Sequence, residues 1–233
     1  MWSDIKRRSG VLAVNDQPNA DTGNGGGVRQ RSRASIERRI LEAAESVFAE
    51  AGFNGATTAE IARRAGIPKA NLHYYFNTKE ELYQQVLTGI VNSWLHTADE
   101  IRADADPAQA LAHYITAKIE LAREQPIPSR VFANEIIHGA PHLGKYLETD
   151  LRAWVETKAK VIRGWVAAGK MREIDPKHLL FMIWASTQTY ADFASQISAV
   201  LGREQLTPQE YKAIARQVTE IILRGCGLTP PAA

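Results

Sequence analysis

The chain has 233 residues, of which 45% are apolar, and this length and composition support one or two domains with a hydrophobic core. The net charge is only +2, so any nucleic-acid-binding surface depends on where the cations lie, not on their total. The single cysteine, Cys226, excludes an intramolecular disulfide framework, and no apolar run reaches the roughly 20 residues of a membrane-spanning helix. No signal peptide is evident, so we expect a cytoplasmic protein without a membrane partner.

Residues 1–34 predict a disordered basic arm. The run Asn24-Gly25-Gly26-Gly27 does not favour regular structure, and apolar residues are few. Arg31 and Arg33 stand just before the first predicted helix. Next to a DNA-binding domain, such an arm contacts phosphates or the minor groove, so these two arginines are candidate DNA contacts.

Residues 35–77 predict a three-helix domain. An amphipathic helix covers residues 35–51 and is ended by Gly52. Thr57 then serves as the N-cap of a second helix, Gly66 ends that helix, and Pro68 suits the first turn of a third. Two short helices around a glycine turn form a helix-turn-helix, in which the second helix enters the DNA major groove.

An ordinary αα-hairpin inside a helical bundle has the same helix caps and glycine turn, so the outer face of the third helix decides between the two interpretations. Polar and aromatic hydrogen-bonding residues crowd its two turns: Lys69, Asn71, His73, Tyr74 and Tyr75. A helix that needs only solubility carries mostly Glu, Lys and Ala on its outer face. This composition favours DNA recognition.

The run from Ala65 to Leu82, and above all Asn71-Leu72-His73-Tyr74-Tyr75-Phe76, resembles the DNA-binding domain of TetR-family transcriptional repressors. Members often carry Tyr where His73 stands. The resemblance implies that the residues named above form the recognition helix. Lys69 and Asn71 are then the candidates for base edges, and Thr57, Tyr74, Tyr75 and Lys79 for phosphates. It also implies a homodimer that reads a palindromic double-stranded DNA operator.

Residues 78–228 predict an all-helical ligand-binding and dimerisation domain. We expect helices over 78–103, 106–124, 129–138, 141–168, a segment from 176 and a last segment over 208–224, with Pro126 and Pro128 breaking the second of these. The run 179–185 is apolar on all sides, and the last helix has one apolar face. These leftover apolar faces predict a homodimer in which both helices pair with their symmetry mates.

Polar residues directly after the run 179–185 predict a ligand site. Trp184 and Gln188 are four apart and share one helix face, where an indole can stack on a flat heterocycle and a carboxamide can exchange two hydrogen bonds with it. The alternative is that these polar groups satisfy one another across the dimer core. From the pattern alone, both interpretations stand.

The strings Ile174-Asp175-Pro176-Lys177-His178-Leu179 and Trp184-Ala185-Ser186-Thr187-Gln188 resemble the regulatory domain of uracil-responsive members of the same family. This resemblance implies uracil or thymine as effector, with Trp184 and Gln188 as contacts and with Trp94, Lys118 and Phe132 lining the rest of the pocket. The alternative is a repressor of the same scaffold that responds to a different small aromatic or apolar effector.

The remaining classes of function fit the sequence less well. His138 and His142 have a metal-ligand spacing with Glu135 nearby, but Gly139 and Pro141 prevent a regular helix from presenting both rings. No phosphate loop, nucleophile elbow or paired-carboxylate motif is present. We therefore expect neither an enzyme nor a metal or cofactor site, and a purely structural dimer would leave the recognition helix unexplained.

Overall fold

The computed structural model describes the backbone of residues 25–231 and the side chains from Arg33 onward, and all regular structure in that range is helical. The predicted all-α class is confirmed. The helices are α1 (Gly25–Gly55), α2 (Thr58–Ala65), α3 (Lys69–Tyr75), α4 (Lys79–Leu95), α5 (Pro107–Glu124), α6 (Pro126–Ile137), α7 (Arg152–Ala167), α8 (Pro176–Asp192), α9 (Ala194–Leu201) and α10 (Pro208–Gly225).

The first helix is longer than the sequence predicts. It begins at Gly25 and not at residue 35, so the expectation of a disordered arm is wrong for residues 25–34, and residues 1–24 lie outside the described part of the chain. Gly52 interrupts the helical conformation as predicted, with φ 66° and ψ 177°, but one more turn follows and ends at Gly55. Only glycine adopts this backbone conformation without strain.

The helix-turn-helix has the predicted local structure. The Thr57 hydroxyl accepts a hydrogen bond from the backbone N–H of Glu60 at 3.2 Å and caps α2. Gly66 ends α2 with φ 65° in the left-handed region. The guanidinium of Arg39 in α1 donates to the carbonyls of Ala65 and Gly66, so the turn is fixed to the first helix.

The helix predicted over 78–103 is shorter in the structure. Helix α4 ends at Leu95 and is followed by a 3₁₀ turn at His96–Ala98. Lys158 of α7 donates its ammonium hydrogens to the carbonyls of Ala98, at 2.8 Å, and Ile101, at 3.3 Å. Because these carbonyls have a side-chain partner, the chain turns here without losing backbone hydrogen bonds.

Three other helix boundaries differ from the prediction. Helix α6 begins at Pro126, because both prolines lie in its first turn, where a missing N–H costs nothing. The segment predicted over 141–168 begins at Gly144 and contains a turn of π-helix at Leu147–Leu151 before α7. The sequence pattern did not indicate α9, whose side chains are partly or fully exposed.

Two hydrophobic cores hold these helices together. The first, here called the head core, includes buried residues of α1 to α4 as far as Trp94, with Val131 of α6 and Leu143. The second, the body core, runs from Ala98 to Cys226 and includes α5, α7, α8 and α10. The change from one core to the other occurs beyond Trp94, so α4 packs as part of the head. Within the described residues, no helix is long and apolar enough to cross a membrane.

Candidate DNA-binding surface and ligand pocket

The recognition helix α3 presents the predicted residues on its outer side. Leu72 is fully buried and anchors the helix on the head core. The side chains of Lys69, Asn71, His73 and Tyr74 are exposed, with Tyr74 70% exposed. Tyr75 is partly buried and packs edge-on against Tyr74, with ring centroids 5.4 Å apart. The helix therefore combines one apolar anchor with a continuous row of hydrogen-bonding groups.

The end of the predicted arm lies against the recognition helix. The guanidinium carbon of Arg33 lies 5.5 Å from the centroid of the Tyr74 ring, close enough for a cation–π contact. Arg33 and Tyr74 therefore belong to one surface. Arg31 lies in α1, and its side chain falls outside the described residues.

The ammonium of Lys79, a predicted phosphate contact, bonds to the backbone of the head. Its ammonium donates to the backbone carbonyls of Phe53, at 2.8 Å, and Ala56, at 3.1 Å, and lies 4.4 Å from the centroid of the Phe53 ring. Phe53 lies in the last turn of α1 and Ala56 directly follows it, where carbonyl oxygens have no partner within the helix. Lys79 therefore stabilises a helix end. Thr57 is exposed, and its hydroxyl oxygen caps α2.

All five residues predicted to contact a ligand line one pocket. The cavity between these side chains is about 40 Å³, well below the range for pockets that hold a drug-sized ligand, so a ligand ring has to widen it. The lining comes from α4, α5, α6, the π-helical turn and α8: Val91, Trp94, Leu95, Tyr114, Lys118, Phe132, Leu151, Trp184 and Gln188. Trp94 and Phe132 belong to the head core, whereas Tyr114 and Trp184 belong to the body core. The pocket lies at the junction of the two cores.

Aromatic rings form the walls of this pocket. Trp94 and Phe132 meet edge to face, with centroids 5.0 Å apart. On the other side, the indole N–H of Trp184 donates to the hydroxyl of Tyr114 at 2.7 Å, which fixes the indole plane. Since this N–H is already bonded within the subunit, Trp184 offers a ligand its ring and not a donor. Gln188 has no hydrogen-bond partner among the described residues, so its amide is available to a ligand.

Lys118 brings a buried amine to the pocket. The residue is only 5% exposed, and its ammonium lies 4.5 Å from the centroid of the Trp94 ring. Burial lowers the pKa of Lys118 to about 7, and the negative charge of Asp192 opposes this effect. Burial in turn raises the pKa of Asp192, whose carboxylate accepts a hydrogen bond from the Ser129 hydroxyl. No described side chain bonds directly to the Lys118 amine, so an acceptor on a ligand would satisfy it.

Tyr114 and Leu151 line this pocket but were not predicted for it. Tyr114 had a detectable signal, since it lies four residues before Lys118 on one face of α5. Leu151 had none, because it reaches the pocket through the π-helical turn, which the hydrophobic pattern does not specify. Ser129 also had no signal; it bonds to Asp192 and does not line the pocket.

The two histidines with metal-ligand spacing lie beyond the end of α6. The Nδ1 atom of His138 is 2.7 Å from the carbonyl oxygen of Asn134, and Nδ1 of His142 is 3.3 Å from Oε2 of Glu135. Between residues 25 and 231 no group of three or more His, Cys, Asp or Glu side chains is placed to hold a metal ion.

Comparison with known families and proteins gives concordant matches. The family described as "Bacterial regulatory proteins, tetR family" matches residues 40–86, and the family "YcdC-like protein, C-terminal region" matches residues 87–229. The chain is 43% identical over 199 residues to the HTH-type transcriptional regulator RutR of Escherichia coli strain K12, covering 85% of this chain and 94% of the relative. It is 27% identical over 205 residues to the HTH-type transcriptional repressor NicS of Pseudomonas putida, covering 85% and 96%.

Solved structures with the same fold are more distant in sequence. The ketosteroid transcriptional regulator KstR2 of Mycobacterium tuberculosis aligns with a TM-score of 0.64 and 22% identity, over 81% of this chain and 93% of its own. A TetR-like transcriptional regulator from Rhodococcus sp. RHA1 aligns with a TM-score of 0.60 and 18% identity, over 82% and 96%. At these identities the likeness concerns the fold alone.

Proposed function

This chain belongs to the TetR family of bacterial regulatory proteins, and within that family we propose that it is a homodimeric repressor released from DNA by a small planar pyrimidine. The family and the relatives are ligand-responsive DNA-binding transcriptional regulators, not enzymes. Our proposal adds three points: the effector is uracil or thymine, two copies bind a palindromic operator, and residues 35–77 form the DNA-binding domain, against which α4 packs.

The observation that supports the effector most strongly is the convergence of Trp94, Lys118, Phe132, Trp184 and Gln188 on one small pocket. Aromatic walls suit a flat ring, and the amide of Gln188 complements an imide edge, which has one N–H donor next to a carbonyl acceptor. Lys118 supplies a further donor for a ring carbonyl. The resemblance of the α8 sequence to uracil-responsive regulators points to the same ligand class.

Release of DNA requires that the ligand prefer one arrangement of the protein over another. The pocket walls come from both cores, so a ring that enters it pushes the head core and the body core apart. Val91, Trp94 and Leu95 stand at the end of α4, the helix that follows the recognition helix. We infer that filling the pocket shifts α4 and changes the distance between the two heads of a dimer. Equal head separation in ligand-bound and ligand-free crystals would exclude this mechanism.

The surface of α3 supports a division of roles in DNA binding. Asn71 and Lys69 are exposed near the start of the helix, where Asn pairs with adenine and Lys with guanine. His73 is exposed one turn further along, and Tyr74, Tyr75 and Arg33 form a side surface suited to phosphates. Arg31 is proposed to add to this surface.

Exposed apolar residues on α8 and α10 support a homodimer. Phe181 is 48% exposed, Met182 63% and Ile221 62%, although Leu180 and Leu223 on the same helices are fully buried. A pair of helices with apolar residues on both sides packs against a symmetry mate as a four-helix bundle. Two recognition helices related by a two-fold axis then read half-sites about one DNA turn apart.

Calorimetric titration with uracil and with thymine tests the effector. We expect micromolar binding to the wild-type protein and a loss of about 10-fold to 100-fold in affinity for Gln188→Ala, because two hydrogen bonds disappear. Gln196→Ala changes an exposed glutamine on α9 and serves as the matched control. If neither pyrimidine binds the wild type, the proposed effector is wrong, and the alternative is a different small aromatic or apolar effector of the same scaffold.

A further inference from the structure

Helix α6 connects the ligand pocket to the C-terminal end of α1. Its Phe132 lines the pocket and meets Trp94, and one turn earlier Ser129 donates to Asp192 of α8. One turn after Phe132 toward the C-terminal end of α6, Glu135 is buried and only 3% exposed. The three side chains lie three residues apart along one face of a short helix, so a push on Phe132 moves Glu135 with it.

Glu135 holds the segment that follows α6, residues 138–143, here called the connector. Its Oε1 accepts hydrogen bonds from the backbone N–H of His142, at 2.6 Å, and of Leu143, at 3.1 Å, and its Oε2 lies 3.3 Å from Nδ1 of His142. The connector contains Ala140 with φ 55°, the one non-glycine residue with positive φ between residues 25 and 231. A side chain in this conformation is strained and persists only where surrounding contacts hold it.

The connector in turn packs against the head. The His142 ring lies 4.1 Å from the Phe53 ring and 5.2 Å from the Tyr83 ring, centroid to centroid. Phe53 follows the interruption of α1 at Gly52, and the ammonium of Lys79 also lies 4.4 Å from the centroid of its ring. Burial and the nearby charge of Glu135 raise the pKa of the Tyr83 hydroxyl, which places the carboxylate at this junction. One continuous set of contacts therefore runs from Phe132 to the base of the recognition domain.

We propose that Glu135 is a positioning residue that carries pocket occupancy to the head, through His142 and Phe53. The proposal rests on the proposed function, since it specifies how the ligand releases DNA. It adds a path through α6 to the one through α4. A buried carboxylate suits this role because both connector N–H groups bond to it, so the connector follows any shift of the helix. Glutamine keeps one oxygen for these N–H groups but loses the charge that strengthens both bonds, and its NH2 replaces the oxygen that faces Nδ1 of His142, so the connection loosens.

The test compares Glu135→Gln with the wild type and with Glu148→Gln, which removes an exposed carboxylate beside the π-helical turn. Operator affinity is measured with and without saturating uracil, and uracil affinity by calorimetry. We expect Glu135→Gln to bind operator alone and uracil alone within about threefold of wild type, while uracil weakens its operator binding by less than threefold. Wild type and Glu148→Gln should show a weakening of about 10-fold or more. Unchanged coupling in Glu135→Gln would overturn the proposal.

A second variant and a second readout distinguish failure of the proposed effector from failure of the connection through Glu135. Phe53→Leu removes the ring contact on the head side and is expected to reduce the coupling in the same way, so it replaces Glu135→Gln if circular dichroism shows that the latter does not fold. Amide hydrogen exchange of the ligand-free protein follows residues 52–56: we expect faster exchange in Glu135→Gln and no change in Glu148→Gln. If wild type shows no uracil response, the proposed effector fails, whereas unchanged exchange at 52–56 refutes the connection through Glu135.

Discussion

Replacing Lys79 by methionine separates two explanations of a cation that follows the recognition helix: a phosphate contact and a bond that stabilises the end of α1. Methionine keeps most of the aliphatic stem over Phe53 and removes the ammonium, which donates at 2.8 Å and 3.1 Å to two carbonyls at the end of α1. Hydrogen bonds from a charged donor contribute about 1.5–3 kcal/mol each when buried. Because Lys79 is partly exposed, we expect a loss of about 2 kcal/mol in total, which lowers Tm by about 4–8 °C in a chain of this length.

Lys69→Met is the matched comparison, because Lys69 is exposed at the start of α3. Its Tm should stay within about 1 °C of wild type, since few contacts are lost. In salt titrations of operator binding followed by fluorescence anisotropy, Lys69→Met should change base preference or reduce the slope of log affinity against log salt. Lys79→Met should leave that slope unchanged at temperatures where it is folded. A reduced slope with an unchanged Tm for Lys79→Met would refute its structural role and restore the phosphate contact.

Three other changes test separate parts of the account. Asn71→Ala should lose about 1–3 kcal/mol of discrimination at one base pair of the operator and little affinity for random DNA, measured by competition binding; equal losses on both DNAs would contradict a base contact. Burial lowers the pKa of Lys118 to about 7, so the unfolded chain binds its proton up to a higher pH and the free energy of unfolding rises from about pH 7 toward pH 10. Lys118→Met should therefore be more stable than wild type at pH 7, by a margin that shrinks at pH 9 in urea unfolding, and a constant margin would exclude the lowered pKa of the Lys118 amine. Met182→Glu should convert the dimer to a monomer in analytical ultracentrifugation, whereas Ile137→Glu, on α6 and 73% exposed, should not.

The sequence determines the parts of this fold that rest on local signals. Thr57, Gly66 and Pro68 specify the helix-turn-helix because each acts through its own backbone conformation or its nearest hydrogen bond. The end of α4 at Leu95 was not predictable in this way, because it depends on Lys158, which is distant in sequence and supplies the donors for the turn. Pro126 was misread for a related reason: a proline breaks a helix interior but suits a first turn, and the pattern alone does not separate the two positions.

Only part of the pocket could be predicted from the sequence. Trp184 and Gln188 follow from helical spacing, and the resemblance supplied Trp94, Lys118 and Phe132, which the structure places in the same pocket. The role of Glu135 had no sequence signal, because its partners are backbone N–H groups in a connector whose course is set by tertiary contacts. Lys79 shows a different limit: the sequence motif predicted a phosphate contact and carried no sign that this ammonium donates to the carbonyls of Phe53 and Ala56.

The central claim is that a planar ring in the pocket at the junction of the two cores weakens operator binding. Duplexes selected by the protein from a random library provide the operator, and fluorescence anisotropy then measures its affinity with and without saturating uracil, for wild type and for Gln188→Ala. We predict that saturating uracil weakens operator binding by the wild type by about 10-fold or more, and that Gln188→Ala needs about 10-fold to 100-fold more uracil for the same effect. Equal operator affinity with and without uracil, in a protein that calorimetry shows to bind it, would contradict the account.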